Sequence, residues 1–258
     1  MKLRTGLLGA LGVLIALGVW EAVSRLGIVP ETSLPPASQT LQRLAVELGR
    51  PETWLGTVQT LAQAGVSVAI CIALAVPLGI LIGRVPLADR YTRSTIDFLR
   101  SVPGIALVPL LLLFIGAKPE MVISLAVFVA FWPLLIQTIE GARSVEPVAL
   151  EMARAFRLGR ARTLRRIVLP ATTPQIITGL RMAVTICLLV TVGAQLLSGA
   201  PGLGQQIAIA NTKGDGLGVY AIGIWTGLLG ILVNLALRAV EKRLLSWHIA
   251  ATKMGLAA

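Results

Sequence analysis

Residues 151–170, EMARAFRLGRARTLRRIVLP, hold six arginines and one acid, Glu151, between two long uncharged runs. That set performs no general acid–base or nucleophilic chemistry. The single histidine, His248, lies far off in a basic tail, and nowhere do His, Asp, Glu, Ser and Cys cluster with workable spacing. What the stretch is equipped to do is recognise a surface. Val148, Met152, Ala155 and Phe156 fall at i, i+4, i+7 and i+8, which gathers them on one apolar helix face, with Glu146, Glu151, Arg154 and Arg157 on the other side. Apolar anchors rimmed by charge suit a protein partner. They suit equally a helix lying on anionic headgroups. Gly159 is available to turn the chain, and a second short helix is expected beyond it, with Leu164 and Val168 one turn apart and Pro170 ending it.

A second set consists of polar side chains inside apolar runs: Gln63, Ser67, Thr138 and Thr185 beside Gln137, Thr191, Gln195, Ser198 and Asn234. Such residues are costly in a bilayer and mark either an interhelical hydrogen bond or a solute path. Gln137, Thr191, Gln195, Ser198 and Asn234 are the pathway candidates, with Gln195 and Ser198, three residues apart, as the leading pair. Arg181 is expected to snorkel to an interface or to pair with a carboxylate rather than meet solute. Cys71 and Cys187 read as small buried hydrophobes, with no metal or disulfide implied. Trp132, Trp225 and Trp247 read as packing or interface anchors, and Gly223 and Gly227 as a small-xxx-small pair for close helix contact.

The elements that position these residues belong to a membrane. The chain of 258 residues is 55% hydrophobic and 14% charged, with mean hydropathy +0.83. Uncharged runs at 53–83, 101–117, 121–139, 182–212 and 216–237 approach or exceed the roughly 17 to 25 residues of a spanning helix. A sixth, from residue 5, becomes long enough if it continues toward Val29. It lacks a small-x-small cleavage pattern after Trp20 and reads as a retained first helix rather than a signal. The net charge of +11 follows sidedness, which removes the argument for nucleic acid. With the N-terminus inside, the outer segments keep only Arg25, Arg43, Arg50, Lys118 and Lys213, and both termini are cytoplasmic.

Between the spans, Pro30, Pro35 and Pro36 define an outer loop, and Ser38 is placed to cap a short amphipathic helix to Leu48. Span two is expected from Leu55 to Ile82, kinked near Pro77 and Gly79. A connector follows in which Arg90 and Arg93 pair with Asp89 and Asp97. Span three, broken by Pro103 and Pro109, and span four, Met121 to Ile139, are expected inside the bundle, because broken helices at membrane depth need protein or water around them. Span five is expected to start near Pro174. A dipping helix at Gln205 to Ala210 then precedes span six, Leu217 to Leu237.

The pattern of the arginine loop narrows its alternatives. EMARAFRLGRARTLRRIVLP resembles the EAA loop of ATP-binding-cassette importer permeases, with Glu151, Ala153, Ile167, Leu169 and Pro170 in register. RSVPGIALVPLLLLFIG, TIEGARSVEP, RRIVLPATTPQIITGLR, GLG at 202–204, GLLGILVN and EKRLLSW resemble the subgroup for nitrate, taurine and alkanesulfonates. The resemblance implies an all-α integral membrane protein of six spanning helices. A cytoplasmic coupling-helix loop at 146–170 would join helices four and five, in the type I importer fold of the methionine permease. It implies one permease domain, 1–258, with a first helix 1–29 and a core bundle 55–245. Glu151, Met152, Ala153, Arg154, Ala155, Phe156, Arg157 and Gly159 would couple to a cytoplasmic ATPase dimer, which would hold the ATP and magnesium. A second permease copy, giving a homodimer, an extracytoplasmic binding protein and bilayer lipid would complete the assembly in a bacterial plasma membrane.

The chain departs from the pattern at three points. The loop glycine of the family aligns with Arg157, so the turn either moves to Gly159 or puts a non-glycine residue into the left-handed region. Acids found in many relatives are replaced by Gln195 and Asn234. No Gly-x-x-x-x-Gly-Lys-Ser/Thr loop is present, and GAPGLG follows a helix rather than a strand, so nucleotide chemistry is assigned to another polypeptide. A secondary carrier is the rival reading. It would place carboxylates at mid-membrane, whereas Glu21, Glu120, Glu140 and Asp215 fall at span ends. An integral enzyme lacks its cluster, and an assembly scaffold remains the third alternative.

Overall fold

The computed structural model describes residues 2–31 and 33–244, with side chains described for 8–9, 11–31 and 33–241. Trp247, His248 and Lys253 lie outside the described residues. All regular structure among these residues is helical. In chain order the helices are α1 (Lys2–Arg25), α2 (Ala37–Leu48), α3 (Pro51–Arg84), α4 (Pro86–Arg100), α5 (Val108–Ile115), α6 (Pro119–Arg143), α7 (Pro147–Ala155), α8 (Arg160–Thr163), α9 (Leu169–Ser198), α10 (Leu203–Thr212) and α11 (Gly216–Leu244).

Four stretches have the length and hydropathy of a membrane crossing: α3, α6, Arg160–Thr212 and Gly216–Glu241. A fifth is available if Pro86–Arg100 and Gly104–Ile115, bent by 76°, count as one. The sequence count is six, against four or five among the described residues; α1, 24 residues long, is not one of these.

The centre of the bundle is α6, packed between α3 and α9. Small residues let these helices close up. A Cβ on Gly79 of α3 would stand 2.6 Å from Thr138 Cβ of α6, and one on Gly179 of α9 would stand 2.8 Å from Gln137 Cβ. The core there is Cys71, Ala75, Ala130, Leu134, Leu135, Ala183 and Cys187. Both cysteines are buried and free. Thr138 and Thr172 are buried and return their hydroxyls to carbonyls four residues back, at 2.7 Å each, so the polar atoms leave no cost in the core.

Several expectations change. α3 starts at Pro51 and continues through Pro77 to Arg84, with Gly79 at its close approach to α6. The apolar run 101–117 is not one straight helix. It forms a short 3₁₀ turn, Gly104–Leu107, and the eight-residue α5. Together these reach about 20 Å, short of the roughly 30 Å of a hydrocarbon core. α5 sits at the edge of the bundle, with Leu113 and Phe114 exposed. Asp89 pairs across to Arg143 of α6, and Asp97 pairs with Arg100 at 3.1 Å; neither partner is Arg90 or Arg93.

Ser38 does not cap α2 with its own side chain. Glu21 of α1 does so instead, accepting from the Ser38 backbone N–H at 2.9 Å and from its hydroxyl at 2.8 Å. A carboxylate at a helix start meets both the unpaired amides and the positive end of the dipole. Gly223 and Gly227 face open space and mediate no close contact within the chain.

Candidate functional site

The bracket between α6 and α9 is built by a helix end. α7 closes with Leu158 N–H donating to the Ala153 carbonyl at 2.8 Å and Arg157 N–H to the Arg154 carbonyl at 2.9 Å. This double bond pattern is the Schellman stop, which requires a left-handed residue between the two. Arg157 occupies it at φ 51°, the one non-glycine residue with positive φ among those described. Gly159, by contrast, is extended at φ −65°, ψ 155°. Of the two turns the sequence allows, the chain adopts the strained one, at Arg157.

Sidedness within α7 is sharp. Val148, Met152 and Phe156 are 55%, 56% and 78% exposed, with Ala155, Glu151, Arg154 and Arg157 also exposed. Ala153 is 2% exposed. It turns inward beside Leu150 and Leu158, toward the end of α3 and the start of α9, so this member of the expected coupling set anchors the helix and is not displayed.

Pro170 does not end a second helix. The chain continues from α8 through a π turn, Leu164–Val168, directly into α9, which takes in both Pro170 and Pro174. Leu169 N–H reaches back to Leu164. The wider turn makes room for the ring of Pro170, which has no N–H to offer an α-helical ladder. Thr172 and Thr173 donate hydroxyls to the Val168 and Leu169 carbonyls, at 2.7 Å each. Span five is therefore a continuation of the bracket.

The pathway candidates do not share one surface. Gln195 is fully buried. Its Oε1 accepts from Thr60 Oγ1 and from Gly204 N–H, at 3.1 Å each, and its Nε2 donates to Gln63 Oε1 at 3.0 Å. Thr60 also accepts from Leu203 N–H at 3.0 Å, and Gln63 donates to the Pro201 carbonyl at 2.9 Å. This closed amide hub seats the 199–204 turn and α10 against α3 and α9. Gln195 is thus buried and tied into internal hydrogen bonds through its Oε1 and one N–H of its Nε2. Ser198 donates to the Ala194 carbonyl at 2.6 Å and accepts from Ala200 N–H, ending α9. Thr191 is buried with an unpaired hydroxyl, and Asn234 has an unpaired Oδ1 beside a cavity of about 620 Å³ between α9 and α11. Gln137 lines a different cavity, between α6, α9 and the α4 end. Arg181 is half-buried. Trp225 donates to Thr57 at 2.9 Å and packs edge-on against Trp54.

The bracket thus stands off the bundle with the apolar row Val148, Met152 and Phe156 facing outward. The sequence profile of the binding-protein-dependent transport system inner membrane components matches residues 75–246. The chain belongs to that family. It is an ABC importer permease, a transport subunit and not an enzyme. The permease is 29% identical over 250 residues to the taurine transport system permease protein TauC of Escherichia coli K12, covering 93% of this chain and 89% of that one. It is 30% identical over 184 residues to the nitrate import permease protein NrtB of Leptolyngbya laminosa, covering 71% and 66% respectively. In three dimensions it resembles a chain of the MetNI methionine ABC transporter in an inward facing conformation, at TM-score 0.64 and 18% identity over 74% of this chain and 96% of that one. At that identity the likeness establishes the fold alone.

Proposed function

We propose that this permease forms the membrane path of an ATP-driven importer for a small anion, an organic sulfonate or else nitrate, handed over by an extracytoplasmic binding protein. The relatives named for taurine and nitrate support the solute class. The observation that carries the reading is α7: Val148, Met152 and Phe156 stand exposed on a helix whose opposite side, Ala153, is locked to the bundle. An apolar row surrounded by Glu151, Arg154 and Arg157 matches a partner with a greasy groove and a charged rim.

In this reading the bracket faces the cytoplasm, both termini lie on that side, and a separate ATPase dimer seats α7 and holds ATP and magnesium. The α8–α9 continuation carries the displacement of α7 into the bundle, a rigid-body rocking between inward- and outward-open states. Two copies of the permease enclose the path as a homodimer, with lipid on the remaining surface.

The test is reconstitution in liposomes with the ATPase and the binding protein encoded alongside. Uptake of labelled taurine, methanesulfonate or nitrate is expected only with ATP in the compartment that the bracket faces. Uptake driven by an ion gradient without nucleotide would make the protein a secondary carrier and end this reading.

A further inference from the structure

A cavity of about 570 Å³ opens under the elbow where α4 ends, against α6 and α9. The α6 residues that line it, Val129, Trp132, Pro133, Ile136 and Gln137, recur at i, i+3, i+4, i+7 and i+8, one continuous helix face. Its polar lining is Arg100, Ser101, Trp132 and Gln137, and none of the described lining residues is acidic.

The hydrogen-bond accounts of these four are unequal. Ser101 Oγ donates to the Asp97 carbonyl at 2.7 Å and has no proton left to give. The Gln137 amide makes no hydrogen bond within the described chain, so both its N–H groups are free. Trp132 Nε1 is buried and has no acceptor, an uncommon state for a donor-only group. Phe128 and Phe131 hold its ring edge-on, with centroids 6.0 Å and 5.0 Å away. Arg100 spends one nitrogen on Asp97 at 3.1 Å and stays half exposed, leaving most of its five-donor fork uncommitted. Unfilled donors, a guanidinium at the mouth that is only partly committed to Asp97, and no carboxylate among the lining residues are complementary to a compact anion rather than a cation or a zwitterion's ammonium end.

We propose that this cavity is a transit site of the permease for a sulfonate- or nitrate-type anion. Gln137 and Trp132 donate to its oxygens, and Arg100 supplies the counter-charge at the mouth. The site rests on the solute class proposed above and adds where in the chain that anion is held. Filling it also gives the stranded indole N–H an acceptor through a small swing of a ring that already lines the cavity. Selectivity within the membrane then follows oxygen-bearing anions, while Gln195, closed in its hub, has no part in it.

The experiment has two arms on the assembled permease–ATPase complex. In the first, the complex is labelled with 5-fluorotryptophan, and the Trp132 fluorine resonance, identified by its loss in Trp132→Phe, is followed while methanesulfonate, taurine or nitrate is added. It is expected to shift with methanesulfonate and nitrate and to stay fixed with tetramethylammonium. A resonance that none of the anions moves overturns the site, whatever transport shows. In the second arm, ATP-driven uptake is measured at saturating loaded binding protein. Arg100→Gln is expected to fall about tenfold, the loss of one charge-assisted contact, and Arg100→Lys to recover most of it. Arg100→Gln transporting at the unmodified rate overturns the counter-charge. A shifted resonance in a complex that takes up none of the three anions keeps the site and removes the importer's proposed solute.

Discussion

Replacing Arg157 with glycine isolates the strain stored in the bracket. Arg157 is the left-handed residue of the α7 stop, a conformation that costs an L-residue about 1–2 kcal/mol. Glycine adopts it freely but loses about 0.4–1 kcal/mol more chain entropy on folding. The difference leaves Arg157→Gly more stable by about 0.5–1 kcal/mol. Loss of the guanidinium offsets little, because Arg157 is exposed and forms no ion pair among the described residues. Arg157→Ala is the control, since it removes the same charge and keeps a Cβ in the same place. Hydrogen exchange of the amides of 153–163 in detergent reads this opening locally. At about 1.4 kcal/mol per factor of ten, exchange in Arg157→Gly slows by about two- to fivefold. In Arg157→Ala it stays at or above the unmodified rate. If the glycine variant exchanges as fast as the alanine one, the turn carries no strain and the helix-stop argument fails.

Gln195→Leu strands Gly204 N–H and the Gln63 and Thr60 side chains. At about 1–3 kcal/mol per unpaired buried group, a thermal scan should show a loss of several degrees, and an unchanged midpoint would mean that the hub does not hold α10. Gly79→Val puts a branched side chain into the 2.6 Å approach to Thr138 and is expected to cost about 1–3 kcal/mol by overpacking. Gly223→Ala enters open space and should gain up to about 1 kcal/mol; denaturation midpoints moving together would refute the packing account. Phe156→Asp should insert and fold as the parent does while ATP-driven uptake drops to background. Full uptake in that variant would show that the exposed face of α7 grips nothing.

Much of this architecture was legible in the residue pattern, because hydropathy and helical spacing speak directly to helices that must satisfy their own backbones. The dipping helix appeared as α10, two residues longer at each end than its expected span. The apolar row at 148, 152 and 156 emerged on the exposed side of α7. What the pattern misread had local physical causes. Proline looked like a helix end at 170 and a helix start at 174, yet a π turn and two threonine hydroxyls carry one helix through both. Gln195 reads as a solute contact, and its three internal partners are not legible, since an amide within a span has the same spelling whether it faces a cavity or a hydrogen-bonded hub. Trp132, read as packing, does pack against the core and against Phe128 and Phe131, but only the structure reveals that its indole N–H has nothing to bond. Ala153 matched the motif in register, but one position along a helix is about 100° of rotation, enough to turn it from the displayed side to the hidden one.

Glycine-free continuity from Arg160 to the first turns of α9 has a mechanical meaning. From Leu169 to Ser198 the helix is 30 residues long, about 45 Å. Its far tip is stapled by Gln195 to the turn before α10. A tilt of about 5° at the near end displaces the tip of a rod that long by about 4 Å, more than the reach of a hydrogen bond. The amide staple therefore either travels with the rod, dragging α10 along, or breaks, so that α10 cannot stay in place while the near end of α9 tilts.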